Sequence, residues 1–553
     1  MALLSRFTLP AAVGYFLLAA SFNVARDIFT KDYDADLDHH MYFGQRLLFG
    51  ELIWTHEIYD KFPIIQYFFA IPAYFGSVRV WFAMSALMLI TSAIAVYGSV
   101  STLLPIPNTA AGVKRNHLFS VLCAAFYAYL STTTPPSLAH INSFTTSCLV
   151  IALCMAVLSH HASVRTSRTR RLAIQLGSAT FASFAMAIRP FLGAPSLLLV
   201  AWIEVRYVLA DLETMRQGER PYSPHRFAVA CWGALPATLR WAALTGIALF
   251  VTNFAPYVAT GAIDAMLNGI MHNSQKLNPQ SPVSIVIEQL HTIIYPSNWY
   301  YIIFWMSMLF IPLIFVSERL WRGNTLPHDD HDTQPEHFVT NYAFLDLMFG
   351  VVVPVAALEA MVLARHWWDH YWQMFVAIGL VNFMVMVGLV ARRWPSLYAC
   401  APQVVRLVGV CAVALGTLVG ASANQEAHHP QQAKFEEIVE FLGRRQSTGL
   451  PTDFLDIGDM YPHWQLRESR HGFPHAQNIQ HIVLGWYASL HRMTHIDFPY
   501  TREELCRQVI MRGPSVVFMT FSYMFSCLLS KESHYNLERN AWELIIFVRD
   551  PVA

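Results

Sequence analysis

Charge is what this chain has little of. Asp, Glu, Lys and Arg make up only 13% of its 553 residues, while 55% are hydrophobic and the mean hydropathy is +0.36. A soluble domain carries about 25% charged residues, so this is not a soluble composition. Lys plus Arg equal Asp plus Glu at 37 each, which leaves no basic field to hold nucleic acid, and no nucleic-acid partner is expected. Among the eight cysteines there is no C-x-x-C pair, which excludes zinc-ribbon and thioredoxin-like readings. Cys123, Cys148, Cys154, Cys231 and Cys411 lie in apolar runs and read as small apolar residues. Cys506 and Cys527 share a polar segment, where the sequence alone does not establish a disulfide. A Gly-rich phosphate loop, an internal repeat and a low-complexity tract are all absent, so nucleotide binding has no support.

What the chain does have is one apolar stretch after another. A bilayer core of about 30 Å needs about 20 mainly apolar residues per spanning helix. Such stretches predict about eleven spans, near 7–25, 79–104, 117–133, 142–159, 172–188, 190–207, 241–257, 300–317, 343–363, 371–390 and 403–422. The first follows a single Arg6 without a clear Ala-x-Ala cleavage site and reads as a retained helix. Basic residues concentrate in alternate loops: Lys114 and Arg115; Arg165, Arg168, Arg170 and Arg171; Arg216, Arg220 and Arg226; Arg319 and Arg322; Arg392 and Arg393. The positive-inside rule then places the N-terminus in the cytoplasm. Eleven crossings leave the tail outside.

That division gives two expected domains, a membrane module over residues 1–423 with an outer loop at 26–78, and an extracytoplasmic α/β domain over 424–553. In the tail, Ala433 to Arg444 reads as a helix, and Phe454 to Ile457, Ser515 to Phe521 and Leu544 to Val548 read as strands. The fold class expected is mainly α, a polytopic membrane protein with a small C-terminal α/β domain on the outer face.

Charges are costly near a membrane, so their clustering in one outer loop stands out. Asp32, Asp34, Asp36 and Asp38 alternate through a short run that continues His39, His40, Met41, Tyr42. Asp60, Lys61, Phe62 and Pro63 close the loop. Between them Gln45 to Leu52 reads as a short amphipathic helix, and Ile64 to Phe75 as an apolar segment too short for a span. Both are expected along the outer interface.

The order of these residues resembles the first outer loop of GT-C-fold glycosyltransferases, the broad group that includes protein mannosyltransferases and the aminoarabinose transferase of lipid A. That group shows an acid, an aromatic or His a few positions on, an LL-x-G step, and D-x-K-P-P. Here stand Asp36, His40, Leu47-Leu48-Phe49-Gly50 and Asp60-Lys61-Phe62-Pro63. Phe62 replaces the first proline, and Leu37 stands where a second acid is frequent. Ile188-Arg189-Pro190 resembles the group's basic turn, and His370-Tyr371 its H-Y entry to a span.

The resemblance implies inverting transfer of a sugar from a polyprenyl-phosphate donor to an extracytoplasmic acceptor, which would be a glycan, a lipid or a protein. It also implies a bacterial inner membrane location. Such a site needs a carboxylate to take the acceptor's proton and cations to hold the departing phosphate. Asp36 is the expected base, with Asp34 and Asp38 as competitors. Lys61, Arg189 and Arg365, with His370 and Tyr371, are the expected donor-phosphate contacts, and His40, Tyr42, His140 and Asn142 the expected acceptor or sugar contacts. A divalent metal is an open option, held through His39 and Asp38.

Each residue also has a plainer role: a solvated carboxylate, a snorkelling cation, or an interfacial aromatic belt for Trp367, Trp368, Tyr371 and Trp372 around the His366 and His370 pair. His463, His471, His475 and His481 lack partners at metal-ligand spacing and read as surface or packing residues. Two rival functions remain, a transporter or flippase for lipid-linked sugars and a histidine-dependent acyltransferase through His140 or His370.

Overall fold

The computed structural model describes residues 9–30, 35–56, 62–104, 110–133, 138, 140–215, 224–274, 283–284, 287, 351–364, 371, 373–375, 377–379, 429–457, 507, 509–511, 513–519, 525–530, 533–541 and 544–550. The expected spans at 300–317 and 403–422 lie outside them, as do Asp34, Lys61, Arg365, His366, His370 and Cys506. The side chains of Asp36, Asp38 and His39 lie outside as well. The chain packs as two compact units, one of residues 1–27, 84–250 and 282–418, the other of residues 28–83, 251–281 and 419–553.

The first unit is helical. It holds most of α1 (Leu9–Thr30), most of α5 (Val78–Leu103), then α6 (Ala110–Thr133), α7 (Ile141–Leu158), the short α8 (Ala162–Arg165), α9 (Arg168–Ile188), α10 (Gly193–Met215) and α11 (Pro224–Leu249). Among the described residues, six helices are long and apolar enough to cross a membrane. Lipid tails are as apolar as leucine, so such helices associate through small residues and side-chain hydrogen bonds instead of apolar burial. That is how this unit is built. Ala179, Ala182, Ser183, Ala185 and Ala187 of α9 are buried and let α7 approach closely. Ser178 on α9 donates to the Ala152 carbonyl of α7 at 2.7 Å and accepts from Trp241 Nε1 of α11 at 2.9 Å, joining three helices through one hydroxyl. Ser99 of α5 donates to the Cys154 carbonyl at 3.0 Å, and Tyr127 of α6 to Ser92 of α5 at 3.0 Å.

Two helices begin well before their expected spans. α6 starts at Ala110 and α11 at Pro224, so Lys114 and Arg115, which read as loop cations, fall in the second turn of α6 and Arg226 in the first turn of α11.

The second unit contains α2 (Ala35–Leu48), the single turn α3 (Ile53–His56), α4 (Ile64–Tyr74), α12 (Ala255–Ala259) and α13 (Ile263–Ser274), together with the C-terminal domain. The chain enters it from α11 through a π-helical turn, Phe250–Phe254. The acidic run read as loop is a correction: α2 starts at Ala35, ten residues before the expected amphipathic helix, and so takes in Asp36, Asp38, His39, His40 and Tyr42. Its buried face explains the helix. Leu37, Met41, Tyr42 and Phe43 are buried, and Gly44 lies so close to α4 that a Cβ there would come within 2.2 Å of the Phe69 carbonyl carbon. Phe69 in turn stacks on Trp81 with ring centroids 4.0 Å apart.

In the C-terminal domain α14 (His429–Ser447) covers a four-stranded sheet of order β1-β2-β4-β3, with β1 (Phe454–Ile457) and β2 (Val516–Met519) parallel and β4 (Leu544–Arg549) antiparallel to both β2 and β3 (Tyr535–Ala541). Alternation puts Val516, Phe518, Leu544 and Ile546 on one face, where they bury Ile438 and Leu442 of the helix. Asp453 accepts from the Ser515 amide at 3.0 Å and from its hydroxyl, pinning the starts of β1 and β2 together. Cys527 is disulfide-bonded, and its other half lies outside the described residues.

Candidate functional site

The sequence Ile188-Arg189-Pro190 decides where α9 stops. A residue before proline is pushed out of the helical region, and Arg189 sits at φ −134°, ψ 87° as the last cap of α9, with its amide bonded to the Ala185 carbonyl at 2.8 Å. A single 3-10 turn, Pro190–Leu192, then leads into α10. The turn is tight, so the guanidinium is directed into the unit and is only 8% exposed.

Opposite it begins α7. His140 is the helix cap, extended at φ −66°, ψ 140°, and its Nδ1 accepts the Asn142 amide at 3.1 Å. A ring nitrogen that accepts here carries no proton, so His140 holds its hydrogen on Nε2 while it caps. The cap fixes Asn142, which is wholly buried, and Arg189 Nε donates to Asn142 Oδ1 at 2.7 Å. The Tyr371 ring lies under the guanidinium carbon at 4.7 Å, and Phe191 packs on Tyr371 at 5.1 Å. Ser143 donates to Gln373 Oε1 at 3.4 Å beside them.

Four residues singled out from sequence thus meet in one corner: His140, Asn142, Arg189 and Tyr371. A buried cation is normally matched by a carboxylate. Among the described residues Arg189 has none; a neutral amide oxygen and an aromatic face are its partners. Asn142 Nδ2 is buried without a hydrogen-bond acceptor. Among the described residues the corner therefore holds positive charge and a spare donor and no anion.

A second polar cluster occupies the other end of α7. His160 Nε2 lies 3.1 Å from Glu204 Oε1, and its ring stacks on Tyr207 at 3.9 Å. Arg165 meets Asp211 with both terminal nitrogens, at 3.1 and 2.8 Å. The 18 residues of α7 separate His140 from His160, about 27 Å and close to one bilayer core. This end carries the basic run Arg165 to Arg171, and among the described residues its His160 and Arg165 meet carboxylates while Arg189 does not.

In the second unit, Asp36 stands one helical turn before His40 on α2. His40 is buried with its ring 4.9 Å from Phe69, and Tyr42 is buried beside Phe43 with Arg46 over its ring at 5.9 Å. Arg46 pairs with Glu51. Among the described residues no three His, Cys, Asp or Glu side chains gather as metal ligands.

Some buried polar residues are not among those the sequence reading marks. Gln66 accepts from the Ile53 amide at 3.0 Å and donates to the Glu51 carbonyl at 2.6 Å, tying down the chain after α2. Asn253, in the π-helical turn, accepts from the Ile64 amide at 2.9 Å. It caps α4 where Pro63, the cap residue itself, makes no side-chain bond. Asp27 is buried at the end of α1 and pairs with Arg26 at 3.2 Å. A lone Gln or Asn in an apolar run is an interruption that could have flagged Gln66 and Asn253.

No protein-family model matches the chain, and no curated relative does. Among solved structures it is similar to the crystal structure of ArnT from Cupriavidus metallidurans in the apo state, at 13% identity and a TM-score of 0.34, over 97% of this chain and 98% of that one. A likeness of that size carries no argument about activity, and the functional reading rests on the chemistry of the corner and the outer-loop residues.

Proposed function

We propose that the protein is an integral-membrane inverting glycosyltransferase that moves a sugar from a polyprenyl-phosphate donor to an extracytoplasmic acceptor. The observation that carries this reading is the buried Arg189 guanidinium without a carboxylate partner among the described residues. Burying an unmatched cation is costly, and a phosphate oxyanion, bound through the planar fork of the guanidinium, supplies the missing charge. A lipid-linked phosphate fits the setting, because the corner lies at the end of a helix of membrane-spanning length.

In this reading Asp36 takes the proton of the acceptor hydroxyl, whose oxygen attacks the sugar's anomeric carbon from the face opposite the phosphate. The sugar–phosphate bond breaks, the configuration inverts, and the polyprenyl phosphate leaves with its new negative charge held by Arg189, with Lys61 and Arg365 as further cations. The outer placement of the C-terminal domain is supported by the Cys527 disulfide, since disulfides persist in oxidising compartments outside the cytoplasm.

The test compares lipid-linked sugars and envelope glycans by mass spectrometry in cells lacking the protein and in cells complemented with wild type or Asp36→Asn. The reading expects a polyprenyl-phosphate sugar to accumulate and one glycan to lose that sugar, with wild type restoring both and Asp36→Asn restoring less than about 1% of the transfer rate, the scale of losing a general base. Full restoration by Asp36→Asn would contradict the assigned base. An unchanged set of glycans would contradict the reading as a whole.

A further inference from the structure

The Asn142 side chain is committed at one end and idle at the other. Its Oδ1 accepts Arg189 Nε at 2.7 Å, which fixes the orientation of the amide, since an N–H donor must meet oxygen and not the NH2 group. Nδ2 is therefore turned away from the Nε contact, and it is buried without an acceptor. The backbone around it is also fixed: His140 holds the Asn142 amide, and the Asn142 carbonyl accepts from Thr146 Oγ1 at 2.8 Å. A donor left unpaired in this way is a standing cost. Next to it, the terminal nitrogens of Arg189 make no hydrogen bond or ion pair among the described residues.

We infer that Asn142 is a ligand of the same phosphate as Arg189, its Nδ2 donating to a phosphate oxygen while its Oδ1 aligns the guanidinium. This inference rests on the phosphate reading of Arg189 and moves Asn142 from an acceptor or sugar contact to the donor's phosphate. The two side chains form one hook, with charge from the arginine and an added donor from the amide, set by a cap at the start of α7. A purely structural Asn142 would need only its oxygen.

Asn142→Asp puts a carboxylate beside the guanidinium and weakens phosphate binding under either role, so the roles are separated by Asn142→Ala placed in an Arg189→Ala background. An Asn142 that acts only by aligning the arginine leaves the residual phosphate binding of Arg189→Ala unchanged there. A ligand role predicts a further loss, because Nδ2 meets the phosphate directly.

The experiment titrates full-length protein in detergent with undecaprenyl phosphate and, separately, with inorganic phosphate, and records thermal melting of each variant. The expected results are about tenfold weaker undecaprenyl phosphate binding for Asn142→Ala and roughly hundredfold weaker binding for Asn142→Asp, whose melting temperature is unchanged or higher. Should Asn142→Asp fail to accumulate, Asn142→Ala alone and in the Arg189→Ala background decides, an unchanged affinity in that background overturning the ligand role. Wild-type affinity in both Asn142 variants alongside weakened Arg189→Ala would overturn the inference and leave the phosphate reading standing. Wild-type affinity in Arg189→Ala would overturn both. A dependence on Asn142 seen with inorganic phosphate alone would assign the hook to a free anion and overturn its assignment to a lipid phosphate.

Discussion

Helices α7 and α11 are both apolar enough to span a membrane, yet they sit in opposite surroundings. In its most apolar window 83% of α7 is buried inside the protein, against 22% for the segment containing α11. The buried helix is the one that opens with Asn142, Ser143, Thr145, Thr146 and Ser147, all buried. The exposed helix shows Trp232, Leu235, Leu239 and Ile247 on its surface. In lipid, polar side chains need protein partners and leucine does not, so the helix that opens with a run of Asn, Ser and Thr is the enclosed one. The hydroxyls of α7 find partners: Thr145 bonds the Ile141 carbonyl and Thr146 that of Asn142, each at 2.8 Å. Among the described residues, Asn142 Nδ2 is one of several buried polar atoms without a partner, and it stands beside a buried cation that meets no carboxylate; unmatched groups of that kind in an interior are where function is sought.

The contrast can be broken most severely where α7, α9 and α11 meet. Ser178→Leu would overfill the joint and strand Trp241 Nε1 without a partner, at a cost of about 3 kcal/mol. Thermal melting in lipid nanodiscs should show a large drop, with Ser178→Ala showing a smaller one. A melting curve like wild type for Ser178→Leu would mean the joint is loosely packed.

A smaller effect sharpens the other side of the comparison. Leu239 is 59% exposed on α11. Leu239→Ala should leave melting within about 0.5 kcal/mol of wild type, because lipid replaces the lost contacts. Leu239→Lys should lower the membrane-integrated fraction, since a lysine near mid-span costs about 2.5–3.5 kcal/mol on insertion scales. Tolerance of lysine with normal abundance would place Leu239 in contact with water and undo the lipid-facing assignment of α11.

Much of this architecture was legible in the sequence where periodicity and length suffice. α5 was expected at 79–104 and lies at 78–103, and α7 was expected at 142–159 and lies at 141–158. β1 was expected over the four residues it occupies, whereas β3 was not foreseen, its polar Asn-Leu-Glu-Arg-Asn run giving no apolar signal. The acidic start of α2 misled because alternating Asp residues suggest solvated loop, while the burial of Leu37, Met41 and Phe43 that makes the helix depends on α4. Arg189 and Tyr371 could be marked from local motifs. Their meeting with Asn142, 47 residues from Arg189, could not be read, because sequence gives spans and not the rotation of one helix against the next.

Whether the Arg189 corner serves the donor's phosphate is read from sugar transfer to the endogenous acceptor, normalised to protein abundance, for Arg189→Ala and Arg189→Lys. The account predicts a fall of about 10² or more for alanine, the scale of removing a group that stabilises developing charge, with normal abundance and partial recovery by lysine, which restores charge without the planar fork. Wild-type transfer by Arg189→Ala at normal abundance would contradict it.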